Sequence, residues 1–115
     1  MLTLALVIII EGLAVVPAGQ ISMAQDTVEF TKEYLDDPRN IELGKEVWFK
    51  RCKFCHGKTA YPGKAPALEP ARYTPEFVYD RVTNGFRAMP PWKHEFSDEE
   101  RKAVVAYILS KEFAN

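Results

Sequence analysis

The sequence predicts a small all-α domain in which three main helices are joined by proline-rich loops. Apolar residues recur at helical spacing from Ile41 onward, and two later segments begin with strong helix-start signals at Thr74 and Ser97. No segment shows the alternation of apolar and polar residues that would indicate a strand. The 115 residues are 47% hydrophobic and 27% charged, which is typical of a single folded domain.

The first main helix is predicted to run from residue 41 to about residue 55 and to stop near Gly57. Ile41 and Val47 lie on its apolar face. Gly44 lies inside it, and a glycine within a helix costs about 1 kcal/mol relative to alanine. The glycine therefore predicts a close crossing with another helix, although a merely tolerated glycine is the alternative.

The second helix is predicted to begin after Thr74, whose side chain can cap it, and to end at Gly85. The third helix is predicted to begin at Ser97, because Ser97 and Glu100 have the spacing of a capping box. Its apolar face continues to about residue 112.

Two long loops, 57–72 and 86–96, connect these helices, and their glycines and prolines prevent a long helix in either. Loops of this length in a small domain need a surface on which to pack. A domain this small also often needs a disulfide, a metal or a cofactor for stability. A flat apolar cofactor would meet both needs.

Residues 1–24 are predicted to be a secretory signal peptide, although they contain no Lys or Arg before the apolar run. Small residues at Ser22 and Ala24 suggest cleavage after residue 24. The alternative is a membrane anchor, but the interrupted apolar run is short for one, so we expect no stable span after cleavage. Residues 25–40 are predicted to be a polar lead-in, and 41–115 to be the folded domain.

The run Cys52-Lys53-Phe54-Cys55-His56 has the C-x-x-C-H spacing by which c-type haem is attached. Two thiols three positions apart at a helix end can form thioethers with the two vinyl groups of one porphyrin. The histidine that follows then lies beneath the ring and offers a nitrogen to the iron. The motif therefore predicts one covalent haem c, with Cys52 and Cys55 as its attachment points and His56 as proximal ligand.

Three alternatives for the cysteine pair are weaker. A redox C-x-x-C would be expected in a βαβ context, which the sequence lacks. A structural zinc site needs four ligands, and only the distant His94 is available beyond the motif. A disulfide that closes so short a loop would add little stability.

Met89 is predicted to be the sixth iron ligand. Met1 and Met23 fall in the predicted signal peptide, so Met89 is the one methionine of the expected mature chain. It lies in a glycine- and proline-flanked loop that can hold a thioether in place, although a gap-filling core role is the alternative. His94 is a second candidate, but its charged neighbours suggest an exposed side chain. If neither residue binds, the iron is open to ligands.

Other residues are expected to support the haem. We expect the second nitrogen of His56 to donate to the Pro66 carbonyl, and Leu68 to pack on the porphyrin. Six aromatic side chains are candidates either for the porphyrin wall or for the core: Trp48, Phe54, Tyr73, Phe77, Phe86 and Trp92. Three cations are candidates either for the haem propionates or for solvent: Lys64, Arg72 and Arg87.

Charge is unevenly distributed along the chain, although the formal net charge is only −1. Residues 51–93 carry eight Lys and Arg against three Asp and Glu, a net charge of +5, whereas the flanking segments are acidic. A docking surface and a simply solvated face are both open interpretations of this excess. The chain is not basic overall, so no nucleic-acid binding is expected.

These motifs together resemble class I cytochrome c over residues 41–112. The resemblance rests on five features: Gly44 with Trp48 or Phe49, the C-x-x-C-H, Pro66-Ala67-Leu68, Met89-Pro90, and the helix that contains Tyr107. It implies a class I fold with three main helices around one haem, and a crossing of the first and last helices at Gly44 and Tyr107. It also implies an exposed haem edge near the cysteines, through which electrons leave.

A narrower resemblance is to the cytochrome subunit of p-cresol methylhydroxylase-type flavocytochromes. The run at 82–90, Val-Thr-Asn-Gly-Phe-Arg-Ala-Met-Pro, carries it most clearly, whereas Ala65 and Pro70 depart from the pattern. In that family the cytochrome docks on a flavin-containing dehydrogenase and accepts electrons from its FAD. The resemblance therefore implies a redox partner of this kind.

The predicted function is electron transfer in the periplasm, because c-type haem is attached outside the cytoplasm. No nucleophile–base pair, paired carboxylates or phosphate-binding loop suggests an enzyme. The alternatives are a freely diffusing shuttle to a terminal oxidase, and an open-iron haem enzyme or sensor if Met89 does not bind.

Overall fold

The computed structural model describes Gly12, Gly19, residues 27–60 and residues 63–113. Within these residues all regular structure is helical, apart from one isolated bridge in the loop before the last helix. The predicted all-α class is confirmed. Apart from the two glycines, the predicted signal peptide at 1–24 lies outside the described residues. No helix in the described part of the chain is long and apolar enough to cross a membrane.

The described helices follow one another with short connections, except around the two long loops. They are α1 (Lys32–Asp36), α2 (Pro38–Val47), a π-helical turn (Trp48–Cys52), α3 (Lys53–His56), a 3-10 turn (Pro70–Arg72), α4 (Pro75–Asn84) and α5 (Asp98–Leu109). The first predicted helix corresponds to α2, the π-helical turn and α3 in one continuous run. It stops at Gly57, whose φ of 83° lies in the region that favours glycine.

The N-terminal side of this run differs from the expectation. Residues 25–40 are predicted to be a polar lead-in before the folded domain, yet α1 (Lys32–Asp36) lies within this segment and α2 begins in it at Pro38. Asp37 caps α2 by accepting a hydrogen bond from the Arg39 N–H at 2.9 Å. Pro38 occupies the first turn, where its missing N–H is not needed. Part of the predicted lead-in is therefore helical.

Both later helix starts are confirmed. The Thr74 hydroxyl accepts from the Phe77 N–H at 3.2 Å and caps α4. At α5, the Ser97 hydroxyl accepts from the Glu100 N–H at 3.1 Å, and the Glu100 carboxylate accepts from the Ser97 N–H at 2.9 Å. This reciprocal pair is the predicted capping box.

The end of α5 is earlier than predicted. The helix ends at Leu109, because Ser110 is extended (ψ 162°) and its hydroxyl donates to the Tyr107 carbonyl at 2.7 Å. The chain then turns back and buries Phe113 completely, with its ring centroid 4.7 Å from that of Trp48. The sequence analysis missed this core residue, since it lies beyond the helical pattern.

The crossing of α2 and α5 forms the centre of the domain. Gly44 is buried at this crossing, where a Cβ atom would overlap the Ala103 carbonyl oxygen and lie 2.8 Å from the Tyr107 Cβ. Every residue from 103 to 108 is buried. The close crossing predicted from Gly44 is therefore confirmed.

We expect Gly44→Ala to lower the free energy of unfolding of the haem-loaded protein by about 2 kcal/mol, because overpacking outweighs the gain in helix propensity. Denaturant unfolding followed by circular dichroism measures the change. Glu42→Ala, an exposed substitution on the same helix, is the control and should change stability by less than about 0.5 kcal/mol. Equal stability of Gly44→Ala and the parent chain would contradict the close crossing.

Candidate haem site

The two cysteines lie one helical turn apart and differ in exposure. Cys52 ends the π-helical turn and is buried, whereas Cys55 on α3 is exposed, and neither forms a disulfide. Burial raises the pKa of the Cys52 thiol to about 12. A redox-active cysteine needs a low thiol pKa, so this environment does not favour the redox alternative. Nor do the described residues hold three or more His, Cys, Asp and Glu side chains arranged around one metal position.

His56, the last residue of α3, presents a neutral imidazole. Burial lowers its pKa, which favours the form that coordinates iron. Its Nδ1 atom is buried and has no hydrogen-bond partner among the described residues. The predicted hydrogen bond to the Pro66 carbonyl is therefore wrong for this structure, in which Pro66 is exposed.

The loop that contains Pro66 folds back onto the end of α3, the helix that carries Cys55 and His56. The Ala65 N–H donates to the Cys55 carbonyl at 2.8 Å, and the Leu68 N–H donates to the Ala60 carbonyl at 3.0 Å. Gly63 lies so close to this helix end that a Cβ atom there would be 2.6 Å from the Cys55 carbonyl oxygen. The sequence analysis treated Gly63 only as a helix breaker and missed this close approach.

Trp48 holds the chain that follows the histidine. Its side chain is only 1% exposed, and its ring centroid lies 5.7 Å from that of His56. Its indole N–H donates to the carbonyl oxygens of Gly57 and Lys58, at 3.1 Å to each. Trp48 is therefore a core residue that also fixes the backbone next to the proximal ligand.

Met89 lies in a tight turn. The Phe86 N–H donates to the Met89 carbonyl at 3.1 Å, and the Met89 N–H donates to the Phe86 carbonyl at 3.0 Å. Arg87 has a φ of 54° and Gly85 a φ of 72°, so two residues of this segment have a φ in the left-handed region. A Cβ atom at Gly85 would overlap the Met89 carbonyl oxygen. The position of the Met89 backbone therefore depends on this glycine.

The chain just after the turn is tied to α4, and α4 is tied to α5. The Trp92 N–H donates to the Val82 carbonyl at 3.0 Å. The Arg101 guanidinium of α5 donates to the Thr83 hydroxyl at 2.9 Å. Met89 is therefore carried by a braced turn rather than by a free loop.

The structure brings three of the six predicted haem-site residues onto one apolar cluster. Cys52 belongs to the buried core, and Leu68 and Met89 are half-buried against it. Tyr73 and Trp92 also pack there, whereas three other candidate wall residues are exposed: Phe54, Phe77 and Phe86.

His94, the alternative ligand, is exposed as expected. Of the three candidate propionate partners, Arg72 pairs with Glu69 at 2.6 Å, and Lys64 and Arg87 are exposed.

The side chains present fit a covalent haem. Two unbridged thiols lie one helical turn apart, and a neutral imidazole with an unpartnered buried nitrogen follows them. A thioether packs against the same apolar cluster that contains the first thiol. Thioether attachment through Cys52 and Cys55 and axial ligation by His56 and Met89 would use this donor set.

Comparison with known proteins agrees with this chemistry. The chain is 37% identical over 67 residues to the cytochrome c subunit of 4-cresol dehydrogenase (hydroxylating) from Pseudomonas putida, and the match spans 58% of each protein. It is 32% identical over 75 residues to cytochrome c6 of Nostoc sp., a match that covers 59% of this chain and 68% of that protein.

The fold has relatives of known structure. The crystal structure of cytochrome c6 from the diatom Phaeodactylum tricornutum superposes with a TM-score of 0.53 at 29% identity, covering 63% of this chain and 93% of that one. This similarity confirms the small class I cytochrome c fold, and cytochromes of this kind are electron carriers rather than enzymes. Residues 39–108 match the sequence family described as cytochrome c oxidase, cbb3-type, subunit III. The chain thus belongs to this family of c-type cytochrome domains.

Proposed function

We propose that the chain carries a single electron on one haem c, attached through Cys52 and Cys55 and ligated by His56 and Met89. The observation that carries the proposal is the combination of a C-x-x-C-H at a helix end with a methionine in a braced turn on the same apolar cluster. Leu68, half-buried on that cluster, is proposed to pack on the porphyrin. Pro66, although exposed, stays a proposed haem contact through its loop.

The proposed ligands suit an electron carrier. Bound haem supplies reversible one-electron chemistry, and methionine as one axial ligand raises its reduction potential relative to nitrogen-only ligation. Trp48 restrains the backbone beside His56, and the Phe86 hydrogen bonds restrain the backbone of Met89. Restraint on both ligands keeps them in place in both oxidation states, so little rearrangement accompanies electron transfer.

We further propose a periplasmic location and a dehydrogenase partner. The location rests on the apolar segment at 1–24 and on the attachment of c-type haem outside the cytoplasm. The partner rests on the Pseudomonas putida relative, which by its name is the cytochrome c subunit of a dehydrogenase. An FAD-containing dehydrogenase subunit is therefore the proposed electron donor, and a freely diffusing shuttle is the alternative.

Covalent attachment is tested on protein produced with the bacterial machinery for cytochrome c maturation. We expect the intact mass to exceed that of the processed polypeptide by one haem, and the pyridine haemochrome spectrum to be that of haem bound through two thioethers. Cys52→Ala with Cys55→Ala should remove the covalent haem. A polypeptide with no added mass would contradict the proposal.

Axial ligation is tested by Met89→Ala, with His94→Ala as the matched control. We expect the ferric parent protein to show the weak far-red band that a methionine–iron bond gives, and Met89→Ala to lose it because no thioether remains. His94→Ala should keep the band, since His94 is exposed. Absence of the band in the parent, or rapid carbon monoxide binding to its ferrous form, would instead indicate an open or differently ligated iron.

The role of the Met89 turn is tested by Gly85→Ala. Because Gly85 has a positive φ and an alanine Cβ would overlap the Met89 carbonyl, we expect a strain of about 1–3 kcal/mol in this turn. The far-red band should therefore disappear at a lower denaturant concentration than in the parent. Asn84→Ala, at the exposed end of α4, is the control and should leave that concentration nearly unchanged. An equal midpoint for Gly85→Ala would show that the turn does not hold the methionine.

A further inference from the structure

The described part of the chain exposes four large apolar side chains, and each has a cation over its ring. The rings are those of Phe49 (37% exposed), Phe54 (63%), Phe77 (44%) and Phe86 (50%). The Lys53 ammonium lies 5.3 Å from the Phe49 centroid and 5.4 Å from the Phe54 centroid. Two separate patches, one around Lys53 and one around Arg81, are therefore both apolar and positive.

The patch around Arg81 is a stack of rings and guanidinium groups on α4 and the Met89 turn. The Arg81 guanidinium lies 4.8 Å from the centroid of the Phe77 ring and 4.3 Å from that of the Phe86 ring. The Arg87 guanidinium lies 5.1 Å from the centroid of the same Phe86 ring. We call these four residues the Arg81 stack: Phe77, Arg81, Phe86 and Arg87. Aromatic residues and arginine are the side chains enriched in protein interfaces, whereas lysine is depleted there.

The Arg81 stack lies beside the proposed electron pathway. Phe86 exchanges two backbone hydrogen bonds with Met89, the proposed iron ligand. Lys53 and Phe54 lie between the two cysteines proposed to hold the haem edge. A protein that touches these exposed rings would therefore approach the haem closely.

The charge of this region is favourable for an acidic partner. Within residues 51–93 the net charge is +5, whereas residues 26–50 and 94–115 carry −3 and −2. The Asp80 carboxylate lies 3.1 Å from the Arg81 guanidinium, whereas Arg87 forms no ion pair with another described residue. An asymmetric charge distribution of this kind orients a molecule during approach.

We infer that the Arg81 stack is the docking surface for a redox protein with a carboxylate-rich face. The inference rests on the proposed function, since it assigns the place where the electron enters or leaves. The Arg87 guanidinium pairs with a carboxylate of the partner, while the Phe77 and Phe86 rings, held by Arg81, supply apolar contact area at low entropic cost.

Reduced flavodoxin, an acidic flavoprotein, serves as the probe. One electron moves from its reduced flavin to the ferric iron, and stopped-flow absorbance gives the second-order rate constant. We expect Arg81→Gln with Arg87→Gln to lower this constant about tenfold at low salt. The parent and variant rates should converge as salt is added, because exposed charges are then screened.

Two controls separate docking from a general effect of charge or of the haem. Lys32→Gln removes one positive charge from exposed α1, as Arg87→Gln alone does from the stack, and should change the flavodoxin rate less than twofold. Hexaammineruthenium(II), a small cationic reductant, should reduce the double variant at least as fast as the parent. If the double variant loses the far-red band, the rates are measured on Arg87→Gln alone. That substitution leaves Arg81 in contact with the Phe77 and Phe86 rings.

The outcomes distinguish this inference from the proposed function. Failure of the proposed function appears in the spectrum of the parent protein, before any rate is measured. With an intact spectrum, an unchanged flavodoxin rate in the arginine variants would overturn the docking surface, as would an equal loss in Lys32→Gln. Binding of the parent, but not of the variants, to phosphatidylglycerol vesicles with unchanged flavodoxin rates would assign the surface to a membrane instead.

Discussion

The close approach of α2 and α5 at Gly44 is the contact on which the rest of the structure depends. With no side chain at this position, the α2 backbone comes against the Ala103 carbonyl. Trp48 follows one helical turn later and packs on α5, with its ring centroid 6.3 Å from that of Tyr107. The indole N–H then reaches the backbone just beyond His56. The geometry of a helix crossing is thereby transmitted to the proposed proximal ligand, without any direct bond between them.

The parts of the fold that the sequence predicts are those decided by near neighbours. The caps at Thr74 and Ser97 are pairs three residues apart, and the helix stop at Gly57 follows from one residue's conformational freedom. The parts it does not predict depend on distant contacts. The chain turns at Ser110 because a buried place against Trp48 is available to Phe113, and no local pattern signals that place. The same holds for α1, which packs against α5.

The candidate site divides in the same way. The spacing of the C-x-x-C-H and the single methionine of the expected mature chain are properties of the sequence, so they indicate the haem and its ligands directly. The surroundings of those ligands depend on the folded chain and cannot be read from the sequence alone. His56 Nδ1 has no partner among the described residues, and the loop that contains Pro66 is held by the Ala65 and Leu68 N–H groups, which donate to the Cys55 and Ala60 carbonyls. The sequence leaves open whether Trp48 contacts the porphyrin or fills the core. Only the folded chain shows that its indole N–H donates to the Gly57 and Lys58 carbonyls, just after His56.

The Met89 turn serves two needs that are usually in conflict. A docking surface has to tolerate contact with partners, whereas an iron ligand has to stay in place when contact is made. Phe86 belongs to both, since it stacks on Arg81 through its ring and pairs with Met89 through its backbone. The hydrogen bond from Trp92 to Val82 braces the chain beside the turn against α4. On the proposed function, exposed aromatic rings on a braced turn, rather than on a free loop, would let a partner approach the haem while the proposed ligand stays in place.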